Sequence, residues 1–136
     1  MYEYQCKIVR VVDGDTVDVD IDLGFGTWMK KQRIRLYGID TPESRTRDLE
    51  EKKYGIMAKE IVKKYLPLGS TQVLRTRKDK AGKYGRILGE FVVGDETLNE
   101  WMITNHYGVV YTGQSKDDIA EQHLRNRELV IKNDKG

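Results

Sequence analysis

DGDTVDVDIDL, residues 13–23, decides the fold. From Thr16 onward it alternates strictly, with Val17, Val19, Ile21 and Leu23 on one face and Asp18, Asp20 and Asp22 on the other. A period of two belongs to a strand with one face in a core and one in water. Asp13-Gly14 is a turn signal, and a Val- and Ile-rich run over residues 5–12 precedes it, so 5–23 reads as a β-hairpin. Gly24 and Gly26 mark a second turn, and residues 28–37 a third strand. Three strands joined in this way form an antiparallel meander.

The period then changes. Residues 44–53 are polar and read as loop. Met57/Ala58, Ile61/Val62 and Tyr65/Leu66 recur every four residues, which predicts an amphipathic helix from Tyr54 to just before Pro67 and Gly69. Residues 71–77 and 86–93 read as two more strands, joined by a loop that contains Gly82 and Gly85. Thr97 and Glu100 match a capping box and open a short helix ending near Gly108. A brief extended piece at 109–111 and a loop at 112–116 follow. A third helix from about Asp117 carries Ile119, Leu124, Val130 and Ile131, and the tail from about 132 to 136 is expected to fray. The predicted fold is a single α+β domain over residues 1–136, mainly β. Its frame is a five-stranded OB-fold barrel with three α-helices, the first helix lying between strands three and four.

At 136 residues the chain suits one domain with a real core. No apolar run approaches a membrane span, and MYEYQCKIVRVV carries Glu3 and lacks the apolar core of a signal peptide. The starting Met suggests an intracellular protein, expected to be monomeric. The single Cys6 cannot form an internal disulfide and reads as a buried, reduced thiol.

Net charge is only +2, but it is unevenly spread. Residues 13–22 hold five Asp and no cation, whereas residues 75–86, RTRKDKAGKYGR, hold six Lys or Arg and one Asp. One acidic and one basic segment suit a cation bound beside a polyanion, and equally two solvated loops.

Several motifs fail on inspection. Asp18, Asp20 and Asp22 fit the first positions of a calcium-binding EF-hand loop, but Leu23 stands where Gly is needed and Met29 where Glu is needed. His106 and His123 fall on different helices with no Cys nearby, so a zinc site lacks ligands, and both read as surface or helix-end residues. GFGTWM lacks the third glycine and the following helix of a dinucleotide fingerprint. DGDT at 13–16, DTPE at 40–43 and KYGR at 83–86 are each, alone, ordinary turns.

Their combination says more. Asp15 follows the first strand and Asp40 the third, and a meander brings those points to one end of the sheet. Two carboxylates and a backbone carbonyl there would leave room on a hard cation for water and a phosphate.

DGDTV at 13–17, RIRLYGIDTPE at 33–43, KKYG at 52–55, DKAGKYGR at 79–86 and EQHLR at 121–125 together resemble the staphylococcal nuclease (thermonuclease) family across nearly the whole chain. The resemblance implies a Ca²⁺-dependent nuclease that hydrolyses phosphodiester bonds of DNA and RNA with little sequence preference, favours single strands and leaves 3′-phosphate ends. It implies that Asp15 and Asp40 ligate Ca²⁺ by side chain and Thr41 by its carbonyl. Arg35 and Arg86 would hold the scissile phosphate, and Glu43 would orient or deprotonate the attacking water. Lys83 and Tyr84 match positions that contact a terminal phosphate, and Tyr111 one of two tyrosines that flank the nucleotide. Val109 stands where the second such tyrosine is expected, and the 24–32 and 112–118 connections also depart from the family pattern. The alternative implied is a silent module that keeps the barrel and binds single-stranded nucleic acid without cutting it.

Overall fold

The computed structural model describes residues 2–77 and 87–135. The meander is present as β1 (Tyr2–Asp13), β2 (Thr16–Asp22) and β3 (Trp28–Leu36), antiparallel throughout. β1 starts earlier than its apolar run because it serves two neighbours. Its second half pairs with β2, and its first half with β5 (Thr71–Arg77). Register shifts between Ile8 and Arg10 and between Val11 and Asp13 let the strand bend from one partner to the other. β6 (Ile87–Val93) lies antiparallel to β5 and parallel to β3, and this last pairing closes the five strands into a barrel.

The alternation in β2 sorts as its sequence predicts. Val17, Val19 and Ile21 are buried among Ile8, Ile34, Leu36, Leu74 and Phe91, each such side chain contributing about 1.5–3 kcal/mol of burial free energy. Leu23 departs from the pattern: it lies past the end of β2 and is exposed. The Asp face is engaged across the strands. Asp18 takes both Nε and Nη2 of Arg33 at 2.9 and 3.2 Å, and Asp20 accepts the Lys31 N–H at 2.9 Å. That N–H and the lysines beside it hold the Asp20 carboxyl below its ordinary value. Cys6 is fully buried, and desolvation pushes its thiol up to about 11.

α1 (Leu49–Tyr65) covers one end of the barrel with Ala58 and Val62, and Leu66 at its C-cap joins them. It begins five residues before Tyr54, inside the stretch read as loop, because the cap and not the apolar period sets its start. The Asp48 carboxylate accepts the N–H groups of Glu50 and Glu51 at 3.1 and 3.2 Å. A short strand, β4 (Ile39–Asp40), follows β3. β7 (Glu96–Thr97) leads into α2 (Leu98–Thr104), where the Thr97 hydroxyl accepts the Glu100 N–H at 3.2 Å as the capping box requires. β8 (Val109–Val110) pairs with β4 in a two-stranded sheet. α3 (Lys116–Lys135) has neither Gly nor Pro to interrupt it before Gly136. Among the described residues the fold is thus an OB-type barrel of five strands with three α-helices. No described helix is long and apolar enough to cross a membrane.

Candidate functional site

Asp15 sits in the β1–β2 turn and Asp40 in β4, and the two meet at the same rim of the barrel. Arg35, near the end of β3, reaches both: Nη1 lies 3.3 Å from Asp15 Oδ2 and Nη2 lies 3.6 Å from Asp40 Oδ1. Nη1 also donates to the Leu36 carbonyl at 3.2 Å and, more weakly, to that of Asp15 at 3.4 Å. The Thr41 N–H donates to Asp15 Oδ2 at 3.3 Å, and the Thr41 hydroxyl is buried with no hydrogen-bond partner among the described residues. The meander therefore converges as its topology predicts, with one guanidinium between two carboxylates.

Close backbone approaches hold this rim. A Cβ on Gly14 would stand 2.8 Å from Ala58 Cβ and 2.9 Å from Thr41 Oγ1, so the turn bearing Asp15 lies directly on α1 and the Thr41 loop. A Cβ on Gly55, in α1, would collide with the Glu43 carbonyl and the Ser44 nitrogen. The KKYG motif thus fixes the backbone that carries Glu43.

These residues line a cleft of about 620 Å³ whose far wall is α3, through Lys116, Ile119, Ala120, His123 and Arg127. The Lys116 ammonium lies 3.6 Å from Glu43 Oε1, both groups well exposed. Burial raises the Asp13 carboxyl from its ordinary value, although the Gly14 N–H, 2.9 Å away, opposes this. Six carboxylates and four Lys or Arg side chains line the described cleft. A phosphodiester alone would meet excess negative charge there.

Arg35 also borders a second, mostly apolar groove of about 490 Å³, formed with Leu36, Tyr37, Leu88, Val110 and Tyr111. The Arg35 guanidinium carbon lies 6.0 Å from the centre of the Tyr111 ring. Val109 is buried and contributes nothing to this groove.

Residues 33–136 match the family described as staphylococcal nuclease homologue. This chain belongs to the staphylococcal nuclease family. It is 37% identical over 100 residues to a thermonuclease of Staphylococcus hyicus, covering 72% of this chain and 54% of that protein. Identity to a thermonuclease of Staphylococcus intermedius is 36% over 92 residues, covering 68% and 51%. A Bacillus subtilis protein named endonuclease YncB is 28% identical over 127 residues, covering 93% of this chain and 57% of the other. The chain spans about half the length of the curated relatives it matches. The nuclease-family match begins at Arg33, the first residue of the RIRLYGIDTPE motif.

Of the site residues read from sequence, Asp15, Arg35, Asp40, Thr41 and Glu43 all line the cleft, and Tyr111 lines the adjoining groove. Lys83, Tyr84 and Arg86 lie outside the described residues. One residue was misread. His123 is not a surface histidine: its side chain is 15% exposed, and Nε2 lies 2.9 Å from Asp40 Oδ2. Its signal was positional. Ile119, His123, Asn126 and Val130 form one inward stripe of α3, whereas Leu124, taken as part of the apolar face, is exposed.

The donor chemistry of the cleft fits a hard divalent cation. Asp15, Asp40 and the Thr41 carbonyl are oxygen donors, and the two carboxylates are already close enough to share one cationic group. Among the described residues no three His, Cys, Asp or Glu group together as a metal cage. An ion held by these two carboxylates would keep positions open to water and substrate.

Proposed function

We propose that this chain is a divalent-cation-dependent, specifically Ca²⁺-dependent, nuclease that hydrolyses phosphodiester bonds of DNA and RNA with little sequence preference. The observation that carries this reading is the bridging of Asp15 and Asp40 by Arg35 at the mouth of a cleft that also holds Thr41 and Glu43. Family membership supports it.

Asp15, Asp40 and the Thr41 carbonyl would hold Ca²⁺. When bound, the ion supplies positive charge against the phosphate's non-bridging oxygens. Arg35, with Arg86 from the basic segment, neutralises the charge that builds on those oxygens in the transition state; its planar fork suits two of them at once. Arg35 spends part of its donor capacity on backbone carbonyls, which fixes its direction before substrate arrives. Glu43, on backbone pinned by Gly55, orients the attacking water. Its exposure suits a positioning role better than strong general-base catalysis.

The apolar groove beside Arg35 takes a base, with Tyr111 as a stacking face and Lys83 and Tyr84 on a terminal phosphate. Stacking there favours single strands, because the bases of a duplex already stack on one another. Hydrolysis of the bond between phosphorus and the 5′ oxygen leaves a 3′-phosphate on one fragment and a 5′-hydroxyl on the other.

The test is digestion of a 5′-labelled single-stranded DNA with Ca²⁺, followed by phosphatase treatment of the fragments. Fragments that lose a 3′-phosphate support the reading. Fragments with 3′-hydroxyl ends contradict the product assignment. Retained binding with no cleavage favours the silent-module alternative.

A further inference from the structure

We infer that His123 is a positioning residue for Asp40: its Nε2–H holds one carboxylate oxygen so that Asp40 is set in place for a divalent cation before the cation arrives. This rests on the cation-dependent reading proposed above, and it assigns a role to a residue outside the set read from the motifs.

Geometry carries the inference. His123 Nε2 is 2.9 Å from Asp40 Oδ2, shorter than the 3.6 Å between Asp40 Oδ1 and Arg35 Nη2. A carboxylate only accepts, so Nε2 is the protonated nitrogen of this pair. The other ring nitrogen, Nδ1, is buried with no hydrogen-bond partner among the described residues, so Asp40 is the group that fixes the ring. The bond needs no charge on the imidazole. It can therefore steady the carboxylate without competing for it as a cation would.

The fold brings His123 to this point by a closed circuit. Asp40 pairs with Val109 between β4 and β8. Gly108, the next residue back, accepts a hydrogen bond from Asn126 Nδ2 at 3.2 Å. Asn126 lies three residues from His123 on the inward stripe of α3, seated by buried Ile119 and Val130. His123 then returns to Asp40. A Cβ on Gly108 would come within 2.5 Å of Ile39 Cδ1, so the circuit is packed closed beside Asp40 as well as hydrogen-bonded. Through it, the docking of α3 and the direction of the Asp40 carboxylate become one property.

Partners that orient a ligand-bearing side chain typically change metal affinity 10–100-fold when removed. The experiment is calorimetric titration of CaCl₂, without substrate, into the wild-type chain and into His123→Gln and His123→Asn. A glutamine amide reaches about as far as Nε2, whereas an asparagine amide is one methylene too short. We expect His123→Asn to bind Ca²⁺ about 10–100-fold more weakly, with His123→Gln within a few-fold of wild type. Equal affinities in all three would overturn the inference alone. Failure of the wild type to bind Ca²⁺ would overturn it together with the cation-dependent reading. Loss in both variants with matching loss of thermal stability would assign His123 a purely structural role and also overturn it. A long-range ¹H–¹⁵N spectrum of the metal-free wild type gives an independent check: a proton on Nε2 is expected, and a ring protonated on Nδ1 alone contradicts the assignment.

Discussion

The Arg35 guanidinium lies between Asp15 and Asp40, 3.3 Å from one carboxylate and 3.6 Å from the other. These acids are 25 positions apart in the chain, and no local motif could hold them together. Removing the guanidinium leaves two like charges facing one site, which should draw a cation in while discarding the phosphate's partner. We therefore expect Arg35→Ala to bind Ca²⁺ no more weakly than wild type yet to cleave DNA on the order of 10³-fold or more slowly. Arg35→Lys should recover little, since an ammonium cannot fork between two oxygens. Calorimetry paired with single-turnover cleavage separates the two effects.

Gly55 is a second point of sensitivity. Its α1 backbone rests on the Glu43 carbonyl with no room for a methyl group. Gly55→Ala should cost about 1–3 kcal/mol of stability, as overpacking does. It should also slow cleavage beyond what the stability loss explains, because the loop carrying Glu43 must shift. Urea melts and kcat measured well below the melting range check both halves.

Asp20 supplies a pH signature away from the cleft. Its carboxyl is held below 3.8 by the Lys31 N–H and neighbouring lysines. A depressed folded value means that the ionised form stabilises the fold above the unfolded value, and that this contribution is lost as pH falls through the folded value. Asp20→Asn should lower the urea midpoint at neutral pH, and the gap to wild type should close as the pH falls through the depressed folded value. A gap that widens in acid contradicts this.

Cys6 gives a folding probe. It is fully buried, with its thiol pushed up to about 11, so a neutral thiol reagent should label it only as fast as the barrel opens. Labelling at the rate of a free thiol at pH 8 would show that β1 is not packed as described.

The barrel was legible because its signals are local and strong. The period of two in β2, the glycine turns and the change of period after Tyr54 each restrict the chain on their own. Thr97 with Glu100 located the start of α2, but the helix ends at Thr104, short of the Gly108 read from sequence. The start of α1 was missed because a polar cap, Asp48, sets it and the first turn carries Glu50 and Glu51 in place of apolar residues. Convergence of Asp15 and Asp40 followed from topology. The His123 bond to Asp40 did not, because it depends on how α3 docks and on β8 pairing with β4, two long-range facts with no local mark. Leu124 misled for the same reason: helical spacing gives a stripe, but tertiary packing chooses which stripe turns inward.

The activity proposed for this chain is a cation-dependent phosphodiesterase built on two carboxylates that Arg35 bridges. Its most direct test is the rate of single-stranded DNA cleavage against added Ca²⁺ for the wild type and for Asp15→Asn and Asp40→Asn, with a chelator control. Saturable activation is expected in the wild type, abolished by chelation, with a steep loss and a higher Ca²⁺ requirement in both variants. Cleavage that persists in chelator, or that neither substitution affects, would contradict it.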